Sequence, residues 1–197
     1  MNREQWLTEY CERLRPEFEN AGVWPYPQTW AISCSWPARG ALATRKRTIG
    51  QCWAPETCAD GTTQLFISPC LAEIVEVGET IVHELVHAIV GVEHGHKKPF
   101  KTAALRIGLE GKMTATKAGD ALAERLQEIG EAIGTYPHSK VDKDASPIKK
   151  QGTRMIKLEC SCCEFSVRTT RKWIDELDGQ EKPLVCPLCG IDNPMVE

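Results

Sequence analysis

Apolar side chains recur every four residues near the start of the chain, at Trp6, Tyr10, Leu14 and Phe18, with charged and polar residues between them. That spacing predicts an amphipathic helix from Asn2 to about Asn20, with Pro16 as a kink or early stop. Gly22 to Gln28, carrying Pro25 and Pro27, reads as an extended connection. The pattern then changes to alternation: Ile32, Cys34 and Trp36 against Ala31, Ser33 and Ser35 predict a half-buried strand over 31–36. Ile49 to Ala54 and Gln64 to Ser68 predict two further strands, separated by a loop with Pro55, Asp60 and Gly61. From about Ile74 to Gly91 helical spacing returns, with Ile81, Val82, Leu85, Val86, Ala88, Ile89 and Val90 covering nearly every face, as in a buried helix. Lys98 to Gly108 and Lys117 to Gly134 predict two covering helices, the second striped by Leu122, Leu126, Ile129 and Ile133.

The pattern fades between Tyr136 and Arg154, where Pro137, Pro147, Gly152 and four lysines stand among few apolar residues, and a linker is expected. Beyond it, 155–159 and 165–170 read as short strands and 171–177 as a helical turn. The predicted organisation is an α+β domain over 1–136, a linker over 137–154 and a small module over 155–197. With 197 residues and 42% hydrophobic side chains, the chain has material for one main core and an appendage. It has no apolar run long enough for a bilayer and no apolar signal stretch at Met1 to Trp6, so a cytoplasmic protein without a membrane partner is expected. Net charge is −3, but 137–173 carries nine basic against four acidic residues and 174–197 one against six. A polyanion site is therefore expected in or just before the C-terminal module.

The predicted buried helix contains His83, Glu84 and His87 in an HExxH arrangement. Histidines four apart share one helix face, separated by about 6 Å of rise, so both imidazoles can reach one ion. Glu84 points beside that face, where it can hold a metal-bound water and take its proton. Two imidazoles and a carboxylate on an apolar helix also need compensation, which a metal supplies. A catalytic zinc usually has three protein ligands, and Glu93, His94 and His96 are the candidates for the third. Gly91 bends the chain and Gly95–His96 precedes the Pro99 helix start, which favours His96. Tyr136 and His138 are candidate oxyanion donors, more simply read as linker residues.

Ten cysteines without an export signal point to reduced thiols or metal ligands. Cys160 and Cys163, then Cys186 and Cys189, form two CxxC turns that can close a tetrahedral zinc site of a zinc ribbon. Cys162 is left as a spare or alternative ligand. Cys11, Cys34, Cys52, Cys58 and Cys70 lack such pairing and read as buried or loop thiols. Arg154, Lys157, Arg168, Arg171 and Lys172 with Trp173 are the candidate nucleic-acid contacts of the module, cations for phosphates and an indole for a base.

The helix with His83, Glu84 and His87, followed by Gly95, His96 and Phe100, resembles the SprT-like metallopeptidases, the group that includes the Spartan proteases and many phage and bacterial members. The resemblance covers nearly the whole chain, including the segment Gly108 to Thr116 and the cysteine module, and is nearest to the phage-type members, whose setting is the host cytoplasm. It implies a zincin-like domain followed by a zinc ribbon, with one catalytic and one structural Zn2+. It also implies His96 as third ligand, Glu84 as catalytic base and peptide-bond hydrolysis of proteins bound or crosslinked to DNA. The alternative is a zinc-binding adaptor of DNA or transcription complexes. Spartan members read Gly-His-Gly where Lys97 follows Gly95 and His96 here.

Overall fold

In the computed structural model, which describes residues 1–43, 45–145 and 155–197, the first helix (α1) runs Arg3–Asn20. A reciprocal cap starts it: Asn2 Oδ1 accepts the Gln5 N–H at 2.8 Å and Gln5 Oε1 accepts the Asn2 N–H at 2.9 Å. The helix passes through Pro16 without stopping. Pro16 lies on the exposed face of the helix, while Leu14 and Phe18 beside it are fully buried.

Three strands follow, β1 (Trp30–Cys34), β2 (Gly50–Trp53) and β3 (Thr63–Ile67). They form one sheet in the order β1-β3-β2, with β1 parallel to β3 (Trp30 opposite Thr63) and β2 antiparallel to it (Gly50 opposite Ile67). Alternation holds in β3, where Thr63, Leu65 and Ile67 are buried. The first strand ends at Cys34, so Trp36 lies past it and is 38% exposed, not part of the expected inward row.

The central helix, α2 (Ile74–Val90), encloses Val77, Ile81, Val82, Leu85 and Val86 completely. Helices α3 (Lys98–Arg106) and α4 (Asp120–Ile133) pack against it. Close approach is possible because Gly78 has no side chain: a Cβ there would lie 3.0 Å from the Tyr10 ring and 3.3 Å from Leu126 Cβ. The Tyr10 hydroxyl instead donates to the Leu126 carbonyl at 2.6 Å and ties α1 to α4. Between α3 and α4 the chain forms a hairpin, β4 (Leu109–Lys112) with β5 (Ala115–Ala118), that sequence periodicity does not show. Strand β5 takes the residues expected to begin the last covering helix. The hairpin's strands are four residues each with Leu109 as their one buried position, too short for alternation to register.

The described residues divide into two units, 1–145 and the described part of 146–197. The first part of the expected linker therefore belongs to the first unit: Tyr136 is buried, the His138 ring bonds the Pro69 carbonyl at 2.9 Å, and the Val141 N–H donates to the same carbonyl at 2.8 Å. Residues 146–154, including Arg154, lie outside the described residues.

The second unit contains β6 (Ile156–Cys160), β7 (Ser166–Thr169), α5 (Arg171–Gly179), β8 (Val185–Cys186) and β9 (Gly190–Val196). Its four strands are antiparallel in the order β7-β6-β9-β8. The buried core is Leu158, Cys160, Cys186 and Met195, with Phe165, Ile174 and Leu184 packed around it. No helix is long and apolar enough to cross a membrane among the described residues.

Candidate metal centre

The last two turns of α2 present His83 and His87 on one face, and Gly91, with φ at 97°, turns the chain so that a short helical turn at Val92–His94 leads back to His96. The three imidazoles converge. His96 Nε2 lies 3.2 Å from His83 Nε2 and 3.3 Å from His87 Nε2. Nitrogen donors about 2.0 to 2.1 Å from a tetrahedral ion are about 3.4 Å apart, so the cluster has the spacing of three corners of a coordination tetrahedron. Ligand atoms of all three lie within 4.8 Å of one another and could hold a metal ion. His94 and Glu93, the other candidates, stay outside this group and face each other at 3.6 Å.

Phe100, fully buried at the start of α3, is the floor of the cluster. Its ring centre lies 4.8 Å from that of His83, 4.3 Å from His87 and 4.9 Å from His96. This apolar surface, with the surrounding core, holds the rings neutral. Burial, reinforced by the neighbouring imidazoles, lowers His83 to about 3 and His87 to about 4, and burial alone lowers His96. Neutral imidazole is the form that binds a metal. On its far side His83 has a hydrogen-bond partner, with Nδ1 2.7 Å from Thr116 Oγ1 of β5.

Glu84, one residue along from His83, lies against Gly50 of β2 and is only 5% exposed. Burial raises its pKa to about 8, against a weaker opposite pull from the Cys52 backbone. The carboxylate occupies the space where Gly50 lacks a side chain; a Cβ on Gly50 would overlap Glu84 Oε1 and lie 2.7 Å from Thr80 Cγ2. Phe100 is part of the sequence motif, though without a role at the histidines; Gly50 and Thr116 are the parts of the site that motif reading misses. Only Gly50 carried a usable signal, since a glycine opening a strand marks close approach by another group.

In the second unit, Cys160, Cys163, Cys186 and Cys189 bring their thiols within 4.8 Å of one another. Cys163 and Cys186 sulfurs are 3.5 Å apart, near the edge of about 3.8 Å expected for thiolates bound at about 2.3 Å. Backbone N–H groups of Cys162 and Cys163 stabilise the Cys160 thiolate and lower its pKa to about 7. Cys162 is exposed and outside the foursome. Among the described residues the three-histidine and four-cysteine groups are the two metal-ligand clusters, so Cys52 and Cys58 contribute to none. Tyr136 and His138 are not brought to the histidines: the Tyr136 ring packs tilted against Trp6, centres 4.7 Å apart, and His138 faces Arg3 and Pro69.

The expected cationic face of the C-terminal module is partly neutralised. Arg171 pairs with Glu197 at 2.8 Å, Lys157 pairs with Glu159, and Lys172 sits over the Trp173 ring at 4.9 Å. Trp173 itself is 54% exposed and Arg168 lies across from Lys157 in the β6–β7 ladder. The first unit holds a second basic stretch, Lys97, Lys98, Lys101 and Arg106, with no acidic residue between 97 and 106 and no ion pair for any of the four among the described residues.

Comparison of the chain with protein-family models, with curated proteins and with solved structures finds no match in any of the three.

Proposed function

We propose that the chain is a zinc metalloendopeptidase of zincin-like architecture with a C-terminal zinc ribbon, acting on proteins bound or crosslinked to DNA. The observation that carries this reading is the convergence of His83, His87 and His96 at 3.2 and 3.3 Å, with the buried Glu84 one residue along the same helix. Three nitrogen donors leave one corner of a tetrahedron for substrate or water, the arrangement of catalytic rather than structural zinc. A zinc ion held there supplies a Lewis acid for the scissile carbonyl and lowers the pKa of water. Glu84 takes the proton of the attacking water and returns it to the leaving amine. Cys160, Cys163, Cys186 and Cys189 hold the second, structural zinc. The DNA-associated substrate class comes from the resemblance to the SprT-like family, and the exposed cations at 97–106 and on the ribbon are the surfaces available to phosphates.

The test is Glu84→Gln. The variant is expected to retain two zinc ions per chain while cleavage of a DNA-crosslinked protein falls at least about 100-fold, the usual contribution of a general acid–base. Cleavage at the parent rate would overturn the role of Glu84. A parent chain that binds both ions but cuts nothing, with or without DNA, is the adaptor.

A further inference from the structure

Two polar contacts join α2 to the β4–β5 hairpin, and their spacing makes them one device. Glu79 and His83 are four apart in the helix, about 6 Å along its axis. Thr116 and Ala118 are two apart in the strand, about 6.8 Å along it. The two repeats match, so Glu79 Oε2 accepts the Ala118 N–H at 3.0 Å while Thr116 Oγ1 meets His83 Nδ1 at 2.7 Å. The hairpin is closed at its base by the Gly119 N–H to Gly108 carbonyl bond at 2.9 Å and anchored by the fully buried Leu109. Thr116 is thus delivered to His83 by backbone geometry and not by a flexible loop.

We infer that Thr116 is a positioning residue of the histidine cluster, its hydroxyl oxygen accepting the Nδ1–H of His83 and holding that ring in the tautomer whose bare Nε2 faces His96. A neutral imidazole carries a single N–H. If that hydrogen were on Nε2, it would point into the space the three rings enclose, and His83 would offer no lone pair there. Fixing it on Nδ1 removes the competing tautomer, and the ring orientation is set at the same time. Glu79, the carboxylate of the same helix face, is occupied by Ala118, so the partner of His83 is neutral. The cluster therefore gains orientation from Thr116 without the added negative charge that a carboxylate partner brings.

This inference rests on the metal-site reading, and the experiment separates the two. Thr116→Val keeps the shape of the side chain and removes the acceptor; Thr116→Ser restores it. Cobalt(II) is the probe, displaced by a competing chelator, with the thiolate-to-cobalt absorption of the four-cysteine site as internal control. Affinity at the histidine site is expected to fall about 10- to 100-fold in Thr116→Val and to return to within about threefold of the parent in Thr116→Ser. The cysteine site should be unchanged. In parallel, nitrogen chemical shifts of His83 in the metal-free parent should show the proton on Nδ1, and in Thr116→Val a mixture of tautomers. Parent affinity in Thr116→Val, a folded Thr116→Ser that does not recover, or a metal-free parent with the proton on Nε2 would each overturn the role of Thr116. A parent that binds no cobalt at the histidines overturns the metal reading, and the nitrogen shifts still decide the tautomer.

Discussion

At the scale of single residues, the chemistry turns on how far burial shifts Glu84. Its pKa of about 8 in the folded, metal-free chain lies above the 4.5 of the unfolded chain, so its stabilising contribution is complete below pH 4.5 and is lost as pH rises to 8. His83 and His87 act in the opposite sense. Lowered from 6.5 to about 3 and about 4, they contribute fully above pH 6.5 and lose that contribution as pH falls through the folded values. Glu84→Gln removes only the first effect. In chelator, urea midpoints of the variant and the parent should diverge in favour of the variant from pH 4.5 to 8 and run parallel above it. A constant difference over that range would show that Glu84 is not held neutral. His83, Glu84 and His87 were legible in the sequence because a helix puts residues four apart on one face whatever surrounds it. Thr116 and Gly50 were not, because each reaches α2 from more than 30 residues away.

At the scale of elements, α2 is where the fold and the site meet, and glycines set how closely its neighbours approach. Gly78 admits the Tyr10 ring and Leu126, and Gly130 of α4 admits Ile74 at the start of α2. Gly78→Ala adds helix propensity but forces a methyl group against the Tyr10 ring. The added Cβ would overlap the Tyr10 hydroxyl that bonds Leu126, so the overpacking cost falls at the upper end of about 1 to 3 kcal/mol and outweighs the helix gain of about 1 kcal/mol. The variant should therefore unfold at lower denaturant than the parent, by a shift of the urea midpoint with unchanged slope. The periodicity of α1, α2, α3 and α4 made their existence plain. The β4–β5 hairpin stayed hidden because its four-residue strands offer no run of alternating positions, and its place is fixed by Leu109 and Glu79 against the rest of the first unit.

For the whole molecule, the two ligand clusters fall in separate units, the histidines within 1–145 and the cysteines within 155–197. The second unit has a buried cluster of four side chains, two of them cysteines of the four-cysteine group. A core of that size does not sustain a fold of about 40 residues, so under the proposed reading an ion bound by the four cysteines would supply the stability. Cys186→Ser is expected to lower metal content from two ions to one and to expose the amides of 155–197 to rapid hydrogen exchange, with those of α2 unchanged. His87→Ala should remove the other ion and leave the second unit protected. Loss of both ions in either variant would overturn the independence of the sites.

The sequence by itself determined the main helices, the three main strands, the His83–His87 pair and the two CxxC turns, because these follow from short-range spacing: 3.6 residues per turn, two per strand repeat, two between paired cysteines. Tertiary structure decided between His96 and its neighbours His94 and Glu93, carried the first unit through Tyr136 to 145, and turned Glu84 toward Gly50. It also placed Thr116 behind His83 and paired off part of the cationic face of the second unit. Those outcomes depend on which distant segments share a surface, and packing and hydrogen bonding across that surface, rather than local periodicity, fix them.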